Sequence, residues 1–190
     1  MPESIEYTVR RSALEAERTW HVDDTGLSWT DPSRPGLFPY KDIVEIRLQW
    51  LGSRADLDRY ACHVRRFNGW TETIVSTHYD GPMQFPDRSK AYIPFVGALI
   101  HRTSSANPAC RFRAGSSSAA YFGSLAAILA GLGLLLLVMV SIGVVFPWLI
   151  VVKLIIIAVL APLAIRWLKV NRPRSFDPGA IPASVLPSPS

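Results

Sequence analysis

Residues 120–168 read AYFGSLAAILAGLGLLLLVMVSIGVVFPWLIVVKLIIIAVLAPLAIRWL, and this stretch decides the architecture. It belongs to a wider gap in the charge pattern: the 39 residues from Ala114 to Val152 carry no charge, and after Lys153 the next charge is Arg166. As a single helix rising about 1.5 Å per residue, those 39 residues would run to roughly 58 Å, nearly twice a ~30 Å hydrocarbon core. The stretch must therefore break. Ser141-Ile-Gly-Val-Val-Phe-Pro-Trp148 is the place, with Gly143 and Pro147 as punctuation and Phe146 and Trp148 suited to a lipid–water interface. The expectation is a two-helix transmembrane hairpin: one span at 120–140, a short non-cytoplasmic turn at 141–147, and a second span at 148–168. A purely soluble protein is excluded on this reading.

Working outward, the flanks set an orientation. Arg111 and Arg113 precede the first span, while Arg166, Lys169, Arg172 and Arg174 close the second. Positive flanks stay in the cytoplasm, so the expected location is the cell membrane, multi-pass, with both termini cytoplasmic. These six cations are also candidates for contact with anionic head groups. Residues 1–18 contain Glu3, Glu6, Glu15 and Glu17 and no apolar run, so no signal peptide is expected. Lys153 is read as snorkelling to the far interface, the alternative being an ion path or a partner carboxylate. Gly123, Ala127 and Gly131 fall at four-residue spacing and form a candidate helix-packing face, within the hairpin or against another chain.

The net charge of +5 is uneven. Residues 1–118 hold 15 Lys+Arg against 14 Asp+Glu, so most of the excess lies in the apolar half and the tail. That distribution opposes a basic nucleic-acid-binding domain.

Residues 1–103 read as strands and turns followed by one helix. Ile5, Tyr7 and Val9 alternate with polar residues; Trp20 and Val22 lead through Asp23-Asp24-Thr25-Gly26 to Leu27 and Trp29. Asp31 to Tyr40, rich in Pro and Gly, is expected to be a loop. Val44, Ile46, Leu48 and Trp50 then face one way and Glu45, Arg47 and Gln49 the other. Asn68-Gly69 joins two further strands, 59–67 and 70–76. Tyr92, Phe95, Val96, Leu99 and Ile100 make an apolar helical stripe, in which Pro94 suggests a late start or a kink. Six strands and a helix predict an α+β domain: an antiparallel β-barrel or sandwich capped by one C-terminal helix. The linker is 104–119 and the proline-rich tail 169–190, either disordered or docked on its own domain or a partner.

Thr25-Gly26-Leu27-Ser28-Trp29, Pro39-Tyr40-Lys41-Asp42-Ile43-Val44-Glu45-Ile46 and Ala91-Tyr92-Ile93-Pro94-Phe95-Val96-Gly97-Ala98-Leu99 resemble segments of bacterial membrane-anchored proteins in which a pleckstrin-homology-like (PH-like) domain is followed by transmembrane helices. The resemblance covers residues 5–103. It implies a PH-like fold and a binding scaffold rather than a particular activity. The lysine-rich first hairpin loop of phosphoinositide-binding PH domains is missing from this sequence, and Arg10, Arg11 and Arg18 are interleaved with Glu15 and Glu17.

Chemistry is sparse. Cys62 alternates in phase with Tyr60 and Val64, which makes it a small core residue, and Cys110 stands apart from it. His21, His63, His78 and His101 have no metal-ligand spacing, so no metal or cofactor is expected. His78-Tyr79-Asp80 can be drawn as a base–acid pair, but no nucleophile elbow or phosphate loop accompanies it. Lys41, Arg47, Arg59, Arg65 and Arg66 offer a basic face, set against Glu45, Asp56, Asp58 and Glu72. The resulting expectation is a membrane-anchored, non-catalytic binding or assembly module at the cytoplasmic face. Its expected partners are the bilayer and a protein or second copy, without nucleic acid or a small-molecule substrate. The alternative is an auxiliary subunit of a membrane transport or other integral membrane complex.

Overall fold

The computed structural model describes residues 4–31, 35–54, 57–82, 84–143 and 149–187. They form two units, residues 1–115 with 174–190, and residues 116–173.

In the first unit, β1 (Ile5–Val9), β2 (Arg18–Val22), β3 (Gly26–Thr30) and β4 (Gly36–Pro39) make an antiparallel sheet in sequence order. The turn into β3 is tied by the Asp23 carboxylate, which accepts the Thr25 N–H at 2.7 Å and the Gly26 N–H at 3.2 Å. β4 lies where a loop was expected. Pro35 and Pro39 tolerate this because β4 is an edge strand, and Gly36 is required because a Cβ there would stand 2.1 Å from the Trp29 ring.

A 3-10 turn at Tyr40–Asp42 carries the chain to a second sheet. There β5 (Ile43–Arg54), β6 (Leu57–Arg66) and β7 (Thr71–Val75) run antiparallel, and Gly69 takes φ +85° in the tight turn between β6 and β7. α1 (Ser89–Ala106) follows, and its stripe Tyr92, Phe95, Val96, Leu99 and Ile100 is completely buried. Tyr7 of β1 meets Tyr92 at 5.8 Å and Phe95 at 5.4 Å between ring centroids. The helix is continuous through Pro94. At its end, the Asn107 amide donates to the carbonyls of Lys41 and Ile43, fixing α1 to the corner between the sheets.

Two more strands complete the second sheet. β8 (Arg111–Ala114) lies parallel to β5, and β9 (Arg174–Ser175) pairs antiparallel with β8, giving the order β7-β6-β5-β8-β9. The expected barrel is therefore corrected. Among the described residues the two sheets share no ladder, and the β5 edge that closure would use is taken by β8. The proline-rich tail docks on its own unit: the Phe176 N–H donates to the Phe112 carbonyl at 3.1 Å, the two rings lie 6.0 Å apart, and Val185 is fully buried.

The second unit holds α2 (Ser118–Gly143) and α3 (Leu149–Val170). Tyr121 near the start of α2 stacks on Trp167 near the end of α3 at 6.4 Å. The expectation of two membrane spans, and with it the multi-pass location, is overturned. Among the described residues only α2, over Ser118–Leu135, is long and apolar enough to cross a membrane. α3 runs as one continuous helix through Pro162 and carries Lys169 in its last turn. Residues 144–147 of the expected turn, the interfacial Trp148 and the side chain of Lys153 lie outside the described residues.

Candidate functional site

Strand alternation turns Ile46 and Leu48 of β5 into the core and leaves Glu45 and Arg47 on the opposite face. The register then sets Glu45 beside Arg65 of β6 and Arg111 of β8, and Arg47 beside His63 and Arg113. Glu45 is only 5% exposed because arginines surround it. Its carboxylate accepts from Arg47 Nη2 at 2.7 Å and Arg65 Nη2 at 3.1 Å, and Arg113 Nε stands 3.7 Å away. His63 shares a 2.9 Å hydrogen bond with Thr73 Oγ1; burial, then Arg47 and Arg11, push its pKa below the usual histidine range. Along the same β8 edge opens a cavity of about 380 Å³, lined by Ser104, Arg111, Arg113, Ser175 and Phe176 among others. Cys110 also lines it, and burial pushes that thiol up to about 11.

Of the six cations expected at head groups, Arg111, Arg113 and Arg174 fall in the first unit and Arg166, Lys169 and Arg172 in the second. Arg174 donates to Ser184 Oγ within the docked tail. The expected basic face divides. Arg47 and Arg65 serve Glu45, Arg66 binds Asp42, and Arg59 donates to Thr77 Oγ1 while lying over the Phe85 ring. On α2, Gly123 and Ala127 are exposed, and a Cβ added at Gly123 or Gly131 would meet nothing within 4 Å. Gly131 lines a cavity of about 520 Å³ with Ile128, Leu132, Ile157 and Ala161.

The groups that resemble catalytic ones are already engaged. His78 Nδ1 accepts the Arg10 N–H at 3.2 Å while Nε2 faces Asp80 Oδ1 at 3.2 Å, so both ring nitrogens are committed. Arg18 bridges the buried carboxylates of Asp31 at 2.7 Å and Glu72 at 2.8 Å. Cys62 is fully buried and its thiol is pushed up to about 12 by desolvation. Among the described residues no three His, Cys, Asp or Glu side chains converge as a metal site would require.

One surface was missed in the sequence. The Arg66 guanidinium lies between the rings of Phe38, at 5.8 Å, and Phe67, at 5.3 Å. Beside it, Leu37, Arg66 and Trp70 line a shallow depression, with Trp70 oriented by its 2.9 Å bond to Glu72. Phe67 is 66% exposed, Leu37 45% and Trp70 37%. The available signal was the pair of large aromatics flanking Asn68-Gly69, where a tight turn leaves them no core to enter.

No family model, curated protein or solved structure matches the chain.

Proposed function

We propose that the protein is a non-catalytic binding module whose two-sheet unit docks an apolar-anchored protein segment on the Leu37–Phe67–Trp70 surface, with α2 as its apolar anchor. The observation that carries this reading is the combination of exposed Phe and Trp side chains with a stacked arginine. Aromatics and arginine are the side chains that supply most binding energy at protein interfaces, and clustered apolar exposure of this kind marks contact surfaces. The engagement of His78, Asp31, Glu72 and Cys62 in structural roles supports a non-catalytic role.

The test is in-cell crosslinking and mass spectrometry on the full chain and on a Phe67→Ser/Leu37→Ser variant. Both side chains are solvent-facing, so stability should change by no more than about 1 kcal/mol. The expected result is a protein partner captured by the parent chain and lost in the variant. Equal capture by both chains refutes the assignment.

A further inference from the structure

Resting on the reading that the aromatic surface docks a protein segment, we infer that this segment is an extended strand, added to the free edge of β4. β4 ends the first sheet, and the ladder fixes which of its backbone groups face away from β3. The Asp23 N–H donates to the Gly26 carbonyl, so Gly26 and Ser28 direct their backbone groups at β2, and Leu27 and Trp29 direct theirs at β4. Their partners on β4 are Phe38 and Gly36. The N–H and carbonyl of Leu37, between those two, therefore point outward. Among the described residues neither group meets a donor or acceptor.

The other sheet edges differ. On β7 the outward carbonyls of Thr73 and Val75 accept from Arg11 Nη1 at 3.3 Å and from the Tyr7 hydroxyl at 2.7 Å. β9 has two residues. β1 carries the polar Glu6 and Thr8 at its outward positions, and Arg10 beyond them bonds His78 through its N–H and Tyr79 through its carbonyl.

The side chains beside the β4 edge suit an apolar strand. On the inner face Gly36 pairs with Trp29 and leaves room for its ring, and Phe38 lies 5.1 Å from the same ring. Arg66 covers Phe38, while Glu72 holds both Trp70, at 2.9 Å, and Arg18, whose guanidinium lies 6.0 Å over Trp29. Trp29, Phe38, Arg66 and Trp70 thus converge on the depression of about 250 Å³ at this edge. The outer face presents Leu37. In an added strand, the side chain opposite Leu37 packs against it, and those one residue to either side turn toward Trp29, Phe38 and Trp70. A strand along the edge satisfies the Leu37 backbone and touches both faces at once. The partner that fits is an extended segment with three consecutive apolar residues, and without proline where its N–H groups face β4.

The test places a photo-crosslinking amino acid at position 67 of the full chain in cells, in the parent and in Leu37→Pro and Leu37→Thr. Proline at an outward-facing edge position removes the free N–H and leaves the ladder to β3 intact, whereas threonine shortens the side chain and keeps the N–H. The expected result is a defined protein adduct in the parent, with a yield at least about fivefold lower in Leu37→Pro than in Leu37→Thr. Equal yields in the two variants overturn the strand and leave the docking surface standing, whereas no adduct in the parent overturns both. A second measurement needs no variant of the protein. The crosslinked segment is made as a synthetic peptide and titrated onto the full chain with each backbone nitrogen methylated in turn. Methylation at every second position of the paired stretch should weaken binding by at least about tenfold and be tolerated in between. Losses without that alternation overturn the strand.

Discussion

The two units use apolar residues in opposite ways. In the first, Trp20, Tyr7, Phe95 and Leu99 are almost entirely removed from water, and the buried Tyr7 hydroxyl donates to the Val75 carbonyl. In the second, Phe122, Leu129, Leu134, Leu137, Leu160 and Leu163 all lie exposed. The first unit is held together by its own interior, and the second presents an apolar exterior that only an apolar environment would cover. The same side chain is therefore decisive in one unit and nearly silent in the other.

The largest expected effect tests that contrast directly. Phe95→Ala should lower the stability of the first unit by about 4 kcal/mol, because a fully buried ring leaves a cavity. Leu134→Ala on α2 should change it by less than about 0.5 kcal/mol. Urea unfolding of the full chain, followed by tryptophan fluorescence, measures both, and equal effects would break the comparison. Next in size, Arg18→Met should cost about 3 kcal/mol, since Asp31 and Glu72 would lose the guanidinium that bridges them inside the fold. Val185→Ala should cost about 2 kcal/mol through lost burial, which distinguishes a docked tail from a free one by the same assay.

The smallest effect is in pH. His63 has its pKa depressed in the folded state, so the unfolded chain binds its proton first as pH falls. Stability from this group is complete above the unfolded value of about 6.5 and declines as pH drops from there toward the folded value. The urea midpoint should therefore fall between pH 7.5 and 5.5 by more in the parent than in His63→Gln. An identical fall in both would remove His63 from the account of acid sensitivity.

Much of the first unit was legible because strand and helix periods are local. Val44 to Trp50 alternates cleanly, and the stripe from Tyr92 to Ile100 can bury only one way. What escaped was non-local. Arg111–Ala114 has an alternating pattern too short to stand out beside its serine-rich neighbour, and it becomes a strand only because β5 offers an edge. β9 has two residues and sits in a proline-rich segment, so nothing local announces it. The six flanking cations were grouped by their position along a supposed membrane boundary. The fold instead places three in one unit and three in the other. The arginine cluster around Glu45 needs β6 and β8 in register on either side of β5, and that register is invisible until the sheet is assembled.

The proposed function rests on the aromatic surface, and its most direct test is a photo-crosslinking amino acid placed at position 67 in the full chain in cells. Leu14, 98% exposed and isolated, is the control position. The expected result is a defined protein adduct from position 67 and none from position 14. No adduct at position 67, or the same adducts from both positions, would contradict the proposal that this surface binds a partner.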